Sequence, residues 1–216
     1  MFTSSFINLY EFKHHTPRLL IVGYGDIGKR ILKQKLKYPK SEKTRKLFYD
    51  NFRVTIVSRS GLSNLDENTT SVIKNKRILE LKLDLDIKKN IEKISKISPN
   101  IIVLIPTQNS LDGTTDHRMK KLCASLEKNR KEIKYKGVYI STTGVYGNTH
   151  GRLVDETHLC KPTQLRSKRR LFNEKIFKSG PKFHVLRVPG IYAINRLPNE
   201  RLDMRKPALL SDDEVY

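Results

Sequence analysis

Cysteine is scarce in this chain and carboxylates are few. Of 216 residues only Cys123 and Cys160 are thiols, and Asp and Glu number 22 against 43 Lys and Arg. Two cysteines in this arrangement supply neither a disulfide framework nor metal-ligand spacing, so no metal is expected. Thiols without a pairing framework fit a reducing compartment, and a cytoplasmic location is expected. Long apolar runs are also lacking. The opening stretch, MFTSSFINLYEFKHHTPR, holds none long enough for a signal peptide or a membrane span. Residues 1–17 read as a loose leader, and no membrane partner is expected. The chain shows no internal repeat and no low-complexity segment.

What is present is positive charge, a net +21, over 37% apolar and 30% charged residues. That is enough apolar material for a packed core under a highly charged surface, in one domain or one domain with part of a second. The cationic excess points to nucleic acid, an anionic membrane or an anionic small molecule. The basic residues are spread along the chain among abundant Lys, Ile and Asn, a pattern that drift toward A/T-rich codons also produces. Drift plus an anionic small-molecule ligand is the preferred reading, and nucleic acid is the disfavoured partner.

The apolar pattern alternates between two periods. RLLIVG (Arg18 to Gly23), RVTIVSRS (Arg53 to Ser60), ILELKLDL (Ile78 to Leu85), NIIVLIP (Asn100 to Pro106), GVYIST (Gly137 to Thr142) and FHVLRVPGIY (Phe183 to Tyr192) read as strands. Between them DIGKRILKQKLK, IKKNIEKISKI and DHRMKKLCASLEKNRKEI carry helical spacing, the last with Met119, Leu122, Cys123 and Leu126 on one face. In KPTQLRSKRRLFNEKIF, Leu171, Phe172, Lys175 and Ile176 share helical spacing. The polar connection over residues 38–52 is long for an αβ loop. Strands that are mostly apolar throughout and alternate with helices argue for an α/β fold, a doubly wound parallel sheet with right-handed crossovers.

The first strand runs into GYGDIGKR, in which Gly23, Gly25 and Gly28 match G-x-G-x-x-G in its required context, after a strand and opening a helix. Gly23 permits the tight turn, Gly25 lets the backbone approach a pyrophosphate, and Gly28 lets helix and strand pack closely. The helix N-terminus, with Asp26 and Ile27, offers free N–H groups and partial positive charge to phosphates. A site for NAD places Asp or Glu at the end of the second strand. Here Ser58, Arg59 and Ser60 stand there, and an arginine can pair with a 2′-phosphate. NADP is therefore expected over NAD, the competing reading being a solvated Arg59. Asp84 can accept from the adenine amino group or act as a loop or capping aspartate. Leu85 beside it and Pro189 after the sixth strand complete the expected cofactor-binding set.

Taken with GYGDIGKR and VLRVPGIY, the stretches STTGVYG (141–147) and VDET (154–157) carry a resemblance. From about Arg18 onward the sequence resembles the extended and atypical short-chain dehydrogenase/reductase superfamily. Within it, the NAD(P)-dependent epimerase/dehydratase group is the nearest, above all its small atypical members, the sugar-nucleotide epimerase-like oxidoreductases. The resemblance implies a Rossmann-type NAD(P)-binding fold over 18–192. It also implies hydride transfer at a carbinol or carbonyl of a small, anionic substrate, a sugar nucleotide among the candidates.

The resemblance further implies that Thr142 hydrogen-bonds the reacting oxygen. A Tyr-x-x-x-Lys pair would follow, its tyrosine the general acid/base and its lysine holding the nicotinamide ribose. Lys168 falls at the lysine position, but Gln164 occupies the tyrosine position and cannot titrate near neutrality. Tyr146 would substitute only if turned inward, its competing role being a packed tyrosine. Asp155 and Glu156 are acids in a loop otherwise read as solvated, and Arg166, Arg169 and Arg170 read as the outer face of the helix. A protein that binds the dinucleotide without catalysis is the alternative function. The family continues into a substrate lobe beyond the sixth strand. Residues 193–216, with Arg196 and Arg201 placed to meet an anionic substrate, read as its shortened beginning.

Overall fold

The computed structural model describes residues 18–37, 53–61, 78–108, 110–180 and 182–191, with backbone alone over 33–37. The leader, the 38–52 connection and the 193–216 segment with Arg196 and Arg201 lie outside these residues. The elements are β1 (Arg18–Val22), α1 (Asp26–Lys37), β2 (Arg53–Ser58), β3 (Ile78–Lys82), α2 (Lys88–Ile94), β4 (Asn100–Val103), α3 (His117–Lys128), β5 (Lys136–Thr142), a 3₁₀ turn (Thr143–Val145), α4 (Leu165–Lys178) and β6 (Phe183–Val188). The six strands form one parallel sheet in the order β3-β2-β1-β4-β5-β6. The order reverses between β1 and β4, the place where open α/β sheets present ligands at their carboxyl edge. Several strands stop short of their apolar runs for local reasons. Gly23 turns the chain with φ 106° after β1, and Pro189, with no N–H and a fixed φ, follows β6.

The chain divides into two compact units, one formed by residues 1–106 with 121–138 and the other by 107–120 with 139–216. In the first, Leu20, Ile21 and Val22 of β1, Ile56 of β2 and Val103 of β4 are almost wholly buried. Five residues of β1, Arg18 to Val22, pair in register with Arg53 to Val57 of β2. Ile91 and Ile94 of α2 and Leu122 and Leu126 of α3 are buried too, the spacing of one helical face. The C-terminal ends of α2 and α3 are tied through Ser95. Its hydroxyl meets the Ser125 hydroxyl at 2.8 Å and accepts from Asn129 Nδ2 at 3.0 Å, while the Tyr135 hydroxyl donates to its carbonyl. Burial at that bond pushes the Tyr135 phenol up to about 12.

The second unit corrects the sequence reading of α4. Leu171, Phe172 and Ile176, which share helical spacing, are each only half-buried. The buried residues are Ser167, Arg169, Asn173, Glu174 and Phe177, so the helix presents a polar face inward around one aromatic. Phe177 stacks on Phe183 of β6, centroids 4.5 Å apart, and lies 5.9 Å from the Tyr139 ring. Arg169 and Arg170 do not lie on an outer face. The Arg169 Nη1 donates to the Gly113 carbonyl at 2.7 Å, and the Arg170 Nη1 to the Tyr139 hydroxyl at 2.8 Å and the Ile140 carbonyl at 3.1 Å. Only Arg166 of the three is exposed.

Asp116, fully buried, organises the start of α3. Its carboxylate accepts from the Met119 N–H at 3.1 Å, the Gln108 N–H at 3.2 Å and the Asn173 Nδ2 at 2.9 Å. It thus caps α3 and binds the preceding loop to α4. Asp116→Ala leaves those donors unpaired and is expected to cost about 3 kcal/mol. The check is urea unfolding, where an unchanged midpoint would contradict this role.

Candidate functional site

The three glycines of the loop meet three different surroundings. A Cβ on Gly23 would lie 3.0 Å from the Ile105 nitrogen and 3.1 Å from the Leu104 carbonyl carbon, in a backbone held at φ 106°. That position therefore suits glycine on both counts. A Cβ on Gly28 would lie 2.8 Å from the Gly23 carbonyl oxygen, so helix and loop touch only because none is present. A Cβ on Gly25 would meet nothing within 4 Å. The protein does not need glycine there for its own packing, whereas an anion approaching the backbone does. α1 begins at Asp26 and makes its first bond from the Lys29 N–H to the Gly25 carbonyl at 3.0 Å, so the N–H groups ahead of it face outward, where the helix dipole favours negative charge. The Asp26 carboxylate accepts from Arg30 Nε at 3.2 Å on both oxygens, which offsets its charge near that anion position. Ile27 is half-buried and Gly28 buried. The residues present fit a dinucleotide phosphate.

Backbone hydrogen bonds link this loop to the other cofactor candidates of the same unit. The Gly23 N–H donates to the Val57 carbonyl at 2.8 Å, and the Leu83 N–H to the Ser58 carbonyl at 3.1 Å. The carboxyl ends of β1, β2 and β3 are therefore contiguous. The Ser58 hydroxyl accepts from the Gly61 N–H at 2.9 Å, closing a turn that leaves Arg59 and Ser60 exposed. Among the described residues the Arg59 guanidinium forms no ion pair. Asp84 serves a turn: its carboxylate accepts from the Asp86 N–H at 2.9 Å and its carbonyl from Asn90 Nδ2 at 2.8 Å. Leu85 is buried in the core.

In the second unit Thr142 ends β5 with extended backbone and caps the 3₁₀ turn, its hydroxyl oxygen accepting from the Gly144 N–H at 3.3 Å. Its own proton remains for another acceptor. A Cβ on Gly144 would lie 3.1 Å from the Ser167 hydroxyl, so the turn after Thr142 rests on the first turn of α4, beside the exposed Lys168. Gln164 precedes the helix. It is the capping residue with φ −74° and ψ 138°, makes no side-chain cap bond, and is exposed. Pro189 is exposed after β6.

Tyr146 is buried, and its hydroxyl accepts from Arg187 Nη1 at 3.0 Å while that guanidinium lies 4.8 Å from its ring centre. It is a packed tyrosine. Asp155 is exposed and caps its own turn, accepting from the N–H and hydroxyl of Thr157 and the N–H of His158; these bonds hold it below the usual carboxylate range. Glu156 is exposed as well. Sequence reasoning missed the pair behind Tyr146. Glu174, 2% exposed, accepts from Arg187 Nη2 at 2.8 Å, from Arg187 Nε at 3.1 Å and from the Ser141 hydroxyl at 2.6 Å. The Glu174 bond raises the Arg187 pKa above its already high value.

No family model matches the sequence, and no curated protein does. Solved structures do. UDP-glucuronic acid 4-epimerase from Bacillus cereus, in complex with NAD, superimposes with a TM-score of 0.60 at 20% identity, over 84% of this chain and 60% of that one. This chain has the same Rossmann-type fold. The UDP-Glc/GlcNAc 4-epimerase of Campylobacter jejuni gives 0.60 at 15% identity over 89% and 59%. The dTDP-glucose 4,6-dehydratase of Bacillus anthracis in complex with NAD gives 0.59 at 17% over 85% and 58%. The chain spans about 60% of the length of these enzymes. No described helix is long and apolar enough to cross a membrane.

Proposed function

We propose that this chain binds a nicotinamide dinucleotide, NADP in preference to NAD. We further propose that it acts as an epimerase-like oxidoreductase on a carbinol or carbonyl of a small anionic molecule, with sugar nucleotides the first class to screen. The observation that carries the reading is the open space at Gly25 between two glycines that the fold itself requires. Support for a nicotinamide cofactor comes from the fold shared with NAD-bound epimerases and dehydratases. Support for NADP comes from Arg59, exposed at the end of β2 where an acid would favour the free ribose hydroxyl. The bound cofactor supplies the hydride exchange. In the second unit, Thr142 would donate its remaining hydroxyl proton to the reacting oxygen, and Lys168 would add positive charge.

Arg59→Asp tests the cofactor choice. Loss of a charge-assisted bond to the 2′-phosphate, and repulsion in its place, is expected to weaken NADPH binding by about 10–100-fold. NADH affinity is expected to hold or improve. Equal losses for both nucleotides would remove Arg59 from the site.

A second reading, dinucleotide binding without catalysis, is favoured by two observations: Gln164 stands where the acid/base is expected, and the Tyr146 hydroxyl is committed to Arg187. Turnover of a sugar nucleotide or carbonyl compound by the native protein would remove this reading, whereas turnover gained only in Gln164→Tyr would support it.

A further inference from the structure

Composition alone makes the basic residues look evenly scattered, but folding gathers a subset of them in the first unit. Parallel strands all begin at one end, so whatever precedes each strand meets its neighbours there. The Lys136 N–H, at the start of β5, donates to the Pro99 carbonyl at 2.7 Å, immediately before β4. Asn100 Nδ2 and the Ser98 hydroxyl donate to the Arg18 carbonyl at 2.7 and 2.9 Å, at the start of β1. Arg18 is the register partner of Arg53, the first residue of β2. Arg53, Arg18 and Lys136 therefore lie along one edge across three strand spacings, about 14 Å. The Ser95 knot that ties the ends of α2 and α3 sets Lys96, Lys131 and Lys134 beside this line.

Among the described residues, exposed cations outnumber carboxylates at this edge. Lys96, Lys131, Lys134 and Lys136 are exposed, and among the described residues none forms an ion pair. Of the carboxylates at this end, Glu127 is engaged by Arg130 at 3.1 Å and Glu132 is exposed. Burial, followed by the facing Arg53, pulls the Arg18 guanidinium below its usual value. The surface is also without apolar anchors. The exposed large hydrophobics of the described residues are Ile87, at the opposite end of α2, and others that all belong to the second unit. A membrane-seeking surface pairs cations with inserted apolar side chains, and among the described residues of this edge there is none. Lysines as point charges, one at the start of β5 and three in the turns and loop beside it, suit phosphates in a row.

We propose that the amino-terminal edge of the sheet, centred on Lys96, Lys131, Lys134 and Lys136 with Arg18 and Arg53, binds the phosphodiester backbone of nucleic acid without reading sequence. This surface lies at the opposite end of the strands from the glycine loop and stands independently of the dinucleotide reading.

The test is fluorescence anisotropy of the full chain with a fluorescein-labelled 20-base-pair duplex across a salt series. Binding is expected with a slope of log affinity on log salt near about −5, each of the six cations contributing about −0.9. Changing the four lysines to alanine is expected to flatten the slope by about 3.6 and weaken binding at least about 30-fold. Changing Lys175 and Lys178, exposed on α4 of the other unit, is expected to change it little. An unchanged thermal melting curve for the four-lysine variant shows that its loss is not unfolding. The proposal is overturned if the native protein fails to bind at low salt, or if the four-lysine variant binds as the native protein does. It is equally overturned if the Lys175/Lys178 control loses as much, or if phosphatidylserine vesicles take up the protein with the same lysine dependence.

Discussion

Gly25→Val is expected to leave the melting temperature unchanged and to reduce NADPH affinity by about 100-fold or more. The two halves of this result have separate physical origins. A Cβ at position 25 meets nothing within 4 Å, and the backbone there is not in the left-handed region, so the fold accommodates the first carbon of the side chain. A pyrophosphate, however, must come within hydrogen-bonding distance of that backbone. A valine in its path removes charge-assisted bonds worth about 1.5–3 kcal/mol each, and two such bonds exceed a 100-fold loss. Gly28→Val provides the contrast, since its Cβ would press on the Gly23 carbonyl oxygen at 2.8 Å. That variant is expected to lose stability as well as binding. Calorimetry for stability and nucleotide titration for affinity separate the two. A Gly25→Val protein that binds NADPH normally would show that no pyrophosphate sits there.

Glu174→Ala is expected to have the largest effect on stability, about 3–5 kcal/mol, because it leaves the Arg187 guanidinium largely buried beside no opposing charge. The Arg187 side chain is 15% exposed and that of Glu174 2%, so water cannot replace the lost partner. For a chain of this length the loss corresponds to a fall in melting temperature of about 10 °C. Replacing both residues with methionine is expected to recover much of it, because a buried pair contributes little over a well-packed apolar pair. A single variant as stable as the parent would mean that Arg187 turns out to solvent.

The sheet was legible because its strands are short and set off by helical periods, and because β1 and β2 are largely apolar, which is what burial on both faces imposes. Gly23 and Gly28 were legible because each answers to a steric demand of the fold, and the structure places backbone atoms close to each. The inward face of α4 was not legible. Its spacing of Leu171, Phe172 and Ile176 imitates an apolar stripe, while the contacts that hold the helix are polar and come from residues far away in sequence: Asp116 for Asn173, Gly113 for Arg169, Tyr139 for Arg170 and Arg187 for Glu174. Periodicity reports how apolar a face is and carries no information about a buried ion pair closed by a strand thirteen residues on. The limits of the strands were misjudged for a similar reason, since Gly23 and the Asp84 turn end pairing through backbone geometry.

The central claim, that the glycine loop holds a nicotinamide dinucleotide and Arg59 selects its phosphate, is tested most directly by titrating the native protein with NADPH and, separately, NADH, following nicotinamide fluorescence. The chain contains no tryptophan, so the cofactor's emission is read without energy transfer from that residue. Saturable binding of NADPH, tighter than NADH by about 10-fold or more, is the expected result. A folded protein that binds neither nucleotide would contradict the claim.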